Sequence, residues 1–225
     1  MNIQQTRAIK FAVDTAQEIS RKIESEEQAV ALQIAENFLQ SEELKLIEST
    51  SNARGHFLYL KAIALDECKR SEDSFEILVQ LVQEYPGWDN LERSLQIVLN
   101  KLEKTAMDLM AVSPEDKKAH AIYQLLETYG VVGVQLRRIM LLRDVSQGNK
   151  QGAWTLAKAM LDLNPDDHDY LQIAMEVTEA AGMHQERRKL LNHIVALLEE
   201  RPYRYELLKA LKEGDFEETK VPMSI

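Results

Sequence analysis

Apolar residues recur at every third or fourth position through almost the whole chain, and glycine and proline fall between these periodic stretches. That spacing gathers apolar side chains on one face of a helix. Terminators at segment ends leave each helix uninterrupted. With only 8 glycines and 5 prolines in 225 residues, the chain divides into about eleven helices on this periodicity. The β-branched pair Val131-Val132, set between Gly130 and Gly133, is too short to make a strand. An all-α protein is expected.

The first helix is expected over about 5–24, with Ile9, Ala12, Val13, Ala16, Ile19 and Ile23 as its apolar stripe. Ser25 and Gln28 have the spacing of a capping box and open a second helix carrying Ala29, Leu32, Ala35, Leu39 and Leu46. The polar segment 49–55 then breaks the pattern and reads as a linker. A tight pair follows over about 56–69 and 72–85, the latter capped by Ser71 and closed before Pro86-Gly87. Leu91, Leu95, Val98, Leu102, Ala106 and Leu109 mark a long helix over about 89–111. Ser113 as N-cap, Pro114 at the first helical position and Asp116 in the first turn start another that ends at Tyr129-Gly130. Two further pairs are expected over 134–146 with 150–163 and over 167–181 with 184–200. A short helix over 203–212 completes the set, and the acidic residues 213–225, which contain Pro222, are expected to form a mobile tail.

One helical hairpin cannot bury its own apolar face, whereas stacked copies can. From Gly55 onward, Leu58, Ala62 and Leu65, then Ser74, Leu78, Leu81 and Pro86, follow the pattern of a repeat of about 34 residues. Gly148, Ala153, Ala157, Met160 and Pro165 repeat its second half. Tyr170, Ile173, Ala174 and Val177, with Ile194, Leu197 and Pro202, repeat it again. This part of the chain resembles the tetratricopeptide-repeat family. Arg137, Leu141, Asp144 and Leu190 depart from that pattern. The resemblance implies a short α-solenoid of antiparallel hairpins over 55–212, preceded by a hairpin over 1–54 that caps the stack or pairs two copies of the chain in a homodimer. It further implies a concave groove for a protein or peptide partner, lined by His56, Tyr59, Ile63 and Asp66, then Gln135, Arg138 and Leu142, then His168, Leu171 and Met175. The family's clamp for a C-terminal carboxylate needs Lys, Asn and Arg together, and only Arg138 is present, so an apolar anchor is expected instead.

Charge and chemistry narrow the alternatives. Lys and Arg number 27 against 37 Asp and Glu, a formal net charge of -10, which opposes a phosphate backbone. Nucleic acid is not the expected partner. Arg137, Arg138 and Arg143, and Arg187, Arg188 and Lys189, form the basic clusters; pairing with nearby carboxylates is the simpler role for them. A single cysteine, Cys68, excludes an intramolecular disulfide and fits a reducing, cytoplasmic compartment. Neither a signal peptide nor a membrane-spanning stretch is read. No two histidines stand three or four apart, and the acidic run at 166–169 sits where a helix start needs caps, so neither metal nor other cofactor is expected. No nucleophile elbow or phosphate-binding loop appears. The expected function is a non-catalytic interaction module, a scaffold, adaptor or chaperone-like protein. The alternatives are a helical-bundle enzyme or small-ligand regulator, and an acidic secretion chaperone.

Overall fold

The protein's structure, a computed structural model, describes residues 3–48 and 52–200, with the backbone alone at 198–200. The last expected helix, the acidic tail and residues 49–51 of the expected linker lie outside the described residues, while the rest of that linker, from 53 on, is the first turn of the fourth helix. Among those described there are helices and no strand. The chain divides into two compact units, Met1–Val132 and Gly133–Ile225.

The first unit contains α1 (Ile3–Glu24), α2 (Gln28–Leu39), α3 (Glu42–Ile47), α4 (Ala53–Glu67), α5 (Ser71–Glu84), α6 (Asp89–Val112) and α7 (Lys117–Thr128). Its helices pack largely in chain order: α1 lies on α2 and α3, α2 on α4, α4 on α5, α5 on α6 and α6 on α7. Burial therefore proceeds in series, as a stack of hairpins requires. The expected division at 54/55 falls inside this unit. Phe38 of α2 stacks on Phe57 of α4 with ring centroids 3.8 Å apart, and both belong to one apolar core with Ala8, Ile19, Ala35 and Leu44. A pair of that kind ties the N-terminal helices to α4.

Small residues set the closest approach. Ala62 of α4 and Ser74 of α5 are each 0% exposed, in the hairpin where α4 and α5 are most closely associated. A larger side chain at either position would hold the helices apart.

The second unit, described to residue 200, holds α8 (Val134–Ser146), α9 (Lys150–Leu163), α10 (His168–Ala181) and α11 (His184–Glu200). Here α10 packs on α8, α9 and α11. Its consequence is a helix buried on several sides, with Leu171, Ile173, Ala174, Met175, Val177, Thr178 and Ala181 all inaccessible. Gly182 closes α10 at φ 70°, where its N–H donates to the carbonyls of Thr178 and Glu179. That left-handed position is where glycine is the favoured residue.

Several helix starts differ from expectation. Ser25 does not cap α2; its hydroxyl donates to Lys22 O and Glu27 Oε1 at 3.3 and 3.1 Å, and the cap residue is Glu27, whose carboxylate accepts from none of the first amides of α2. The second helix breaks at Gln40, since Ser41 accepts from the Leu44 N–H and starts α3. Ser71 is the first residue of α5, and its hydroxyl donates to Asp66 Oδ1 at 2.6 Å. Asp116, not Ser113, caps α7, accepting from the N–H groups of Lys118 and Ala119 at 2.9 Å each. Asp167 caps α10 through the Tyr170 N–H. At the start of α7 a carboxylate outcompetes the serine hydroxyl because a charged acceptor also opposes the positive end of the helix dipole, and at the start of α10 the acidic run supplies the cap as expected.

Candidate functional site: an apolar groove beside α1

The apolar sector of α1 is wider than its neighbours can cover. Ala8, Ala12, Thr15 and Ile19 point into the core. Ile9, Val13, Ala16 and Ser20 lie about 100° further round the helix at 3.6 residues per turn. Val13 is 51% exposed. One sector of α1 makes the core, and the adjoining one forms the floor of a cavity of about 850 Å³.

The opposite side of this cavity is built by Ile47 of α3, by Asn52, Ala53, His56 and Phe57 at the start of α4, and by Trp88 from the turn before α6. Gln17, Arg21 and Glu24 supply polar groups along α1. From Ile9 to Glu24 the α1 wall runs about 22 Å at 1.5 Å per residue. That length suits about four turns of a guest helix, and the apolar floor suits its greasy face.

Trp88 is held by three aromatic neighbours. Its ring lies 6.3 Å from His56 at 20°, 5.5 Å from Tyr59 and 6.3 Å from Tyr85 at 85°. Tyr85 reaches this position because residue 55 is glycine: a Cβ there would meet the Tyr85 ring at 2.8 Å. The Tyr59 hydroxyl and Ser94 Oγ, 3.2 Å apart, fasten the cluster to α6. His56 also meets Phe57 edge-on, with centroids 6.1 Å apart. Partial removal from water lowers the His56 pKa below its ordinary value, because the imidazolium loses hydration.

Within each unit the residues expected to line a groove have different surroundings. His56 lines the cavity, and Tyr59 supports Trp88 from within the same unit. Ile63 is half-buried. Asp66 is only 9% exposed; it accepts from Ser71 and from Lys101 Nζ at 2.6 and 2.9 Å, so it binds α4 to α5 and α6. In the second unit Gln135 and His168 are exposed, the latter 3.3 Å from Asp169. Arg138 is engaged with Glu176 through both Nε and Nη2, and Leu142 packs against the core. Leu171 and Met175, at 2% and 3% exposure, are core residues and not groove residues. The cause is the position of α10 among three helices, which covers the face that the repeat pattern leaves open.

Arg143 and Arg187, one from each basic cluster, are likewise engaged internally. Arg143 meets Asp144 and Arg187 meets Glu179 at 3.7 and 3.6 Å. A smaller polar cleft of about 400 Å³ holds Lys101 with Asp66 and Lys118 with Glu72, so its opposite charges neutralise one another. Among the described residues no group of three or more His, Cys, Asp or Glu is placed to hold a metal ion, and no helix is long and apolar enough to cross a membrane.

The groove residues beyond His56 were not legible as a site. The α1 stripe signals burial, and burial against a core and burial against a guest leave the same pattern. Trp88, in a turn after Pro86-Gly87, is the one signal that could have pointed there: a large aromatic has no structural need to occupy a turn.

No protein-family profile matches the chain, and no curated protein matches it. Among solved structures it aligns with one described as "MamA RS-1 ArsTM double mutant", at 11% identity over 95% of this chain and 99% of that one, with a TM-score of 0.32. So loose a superposition carries no argument about fold or function.

Proposed function

We propose that the protein is a non-catalytic interaction module of tetratricopeptide-like hairpins, and that it docks an amphipathic helix of a protein partner in the groove between α1 and the start of α4. The single observation that carries this reading is the cavity beside α1, lined by the exposed Val13 together with Ile9 and Ala16, which the core covers only in part. Exposed apolar surface gathered in one trough costs solubility unless a guest covers it. The serial hairpins and the small residues Ala62 and Ser74 support the repeat-like half of the reading. The groove lies beside the N-terminal helices and has only His56 in common with the residues that the repeat pattern implies for a concave face.

The test is a displacement assay. Nile red, a neutral apolar dye, should brighten on the wild-type protein, and amphipathic helical peptides of about four turns should displace it. Ala16→Glu places a carboxylate on the floor and should abolish both signals while far-UV circular dichroism stays unchanged. Dye and peptide binding that survive Ala16→Glu would locate the interaction elsewhere and sink the proposal.

A further inference from the structure

The same groove contains one titratable side chain whose charge a guest cannot tolerate. We infer that occupancy of the α1–α4 groove and protonation of His56 exclude one another, so that an apolar guest is released as the medium becomes acidic. This rests on the groove reading above and adds a regulation to it.

The geometry is specific. His56 stands in the cavity wall between Trp88 and Phe57, and its ring makes no hydrogen bond with a described residue. In the open groove the imidazole keeps part of its hydration. A guest on the floor of Val13 and Ala16 removes that water, and none of the polar side chains lining the cavity is hydrogen-bonded to the ring in its place. Neutral imidazole tolerates the change, whereas imidazolium loses its solvation without gaining a partner.

The surrounding charges do not compensate. Arg21 and Glu24 face the cavity from α1, one of each sign. On the elements packed against α4, Glu36 is paired with Lys61 at 3.0 Å and Glu48 with Arg54 at 3.2 Å. Tyr59 and Tyr85 present phenol groups to Trp88, and Asp89 follows Trp88 at the start of α6. None of these forms a hydrogen bond or an ion pair with the imidazole.

The sign follows from linkage. His56 already titrates below its ordinary value in the open groove, and a guest lowers it further. Binding is therefore full strength where His56 is neutral in both states. It weakens as pH falls below the open-groove value, by up to about tenfold per pH unit.

Nile red titrations at about pH 7.5 and about pH 5.5 bracket the histidine range, on wild type, His56→Gln and Ala16→Glu. The wild-type dissociation constant should rise by up to about tenfold for each pH unit below the open-groove midpoint of His56, and that of His56→Gln should stay level. Proton NMR of the wild type provides a check independent of any variant: the His56 ring midpoint should move to lower pH on saturation with dye. Equal pH profiles for wild type and His56→Gln, or a midpoint that does not move, would overturn the linkage and leave the groove standing. Absence of binding at about pH 7.5, or binding indifferent to Ala16→Glu, would remove the groove and the linkage together.

Discussion

Ser74 illustrates how a single residue can be chosen for its size at the expense of its chemistry. It is 0% exposed, and its hydroxyl has no partner among the described residues, although the α4–α5 contact requires a small side chain there. Alanine keeps the size and removes the unsatisfied oxygen, so Ser74→Ala should stabilise the first unit by about 1 kcal/mol. Ser74→Leu should destabilise it by about 1–3 kcal/mol through overpacking. Urea unfolding of both variants decides the matter, and a destabilised Ser74→Ala would mean the hydroxyl has a partner after all. Gly55 makes a similar case in reverse. Its missing Cβ admits the Tyr85 ring at 2.8 Å, yet a glycine inside α4 costs about 1 kcal/mol of helix propensity relative to alanine. Gly55→Ala alone should change stability little, because displaced Tyr85 contacts offset the helical gain. In a Tyr85→Ala background the same change should stabilise by about 1 kcal/mol, measured as a double-mutant cycle. The repeat pattern already placed small residues at Ala62 and Ser74, whereas Gly55 entered it only as the first position. That pattern was silent about Tyr85 and Trp88, because aromatic contacts across turns follow from three-dimensional packing and leave no periodic trace.

At the scale of the element, helix bodies were legible and helix starts much less so. The second-unit segments expected over 134–146 and 150–163 match α8 and α9 residue for residue, since Gly133, Gly148 and Pro165 interrupt the periodicity on either side. Starts depend on which of several neighbouring side chains reaches a free amide, a competition settled by backbone angles within one turn. At the start of α7, Asp116 prevails over Ser113 because its backbone is extended at φ -60° and ψ 120° and its carboxylate meets two amides. Asp116→Ala should therefore cost about 1 kcal/mol, and Ser113→Ala should cost a few tenths at most. The equivalent pair in the second unit is Asp167→Ala, with a cost of about 1 kcal/mol, against Asp166→Ala, with little. Chemical denaturation of the four variants checks the assignment. Equal losses at 113 and 116 would return the cap to serine. The stripe of α1 shows the opposite kind of ambiguity: Ile9, Ala12, Val13, Ala16, Ile19 and Ile23 were found and the buried Ala8 was missed, while the division between core and groove was not legible, because a periodicity gives the width of an apolar sector and never what covers it.

Within the first unit one apolar core contains Ile19, Phe38 and Phe57, and within the second another contains Leu141, Ile173 and Met175. No boundary at 132/133 was visible in the pattern, since the segment around it is an ordinary interhelical turn by composition. What distinguishes it is the partition of buried contacts, and that is fixed only once the helices are placed. Separate cores give separate energetics when each buries enough apolar area to fold cooperatively. The chain has two tryptophans, and they fall one to each unit: Trp88 beside the groove and Trp154 against the second core. Trp154→Phe leaves Trp88 to report on the first unit, and Trp88→Phe leaves Trp154 to report on the second. Ile173, at 1% exposure, is the substitution to place in both backgrounds. Ile173→Ala should cost about 2–5 kcal/mol and shift the urea midpoint seen by Trp154. The midpoint seen by Trp88 should stay where it was, and Nile red should still bind in the groove. If both tryptophans report the same shifted midpoint, the cores unfold as one cooperative body, and a change deep in the second would then be felt at the groove of the first.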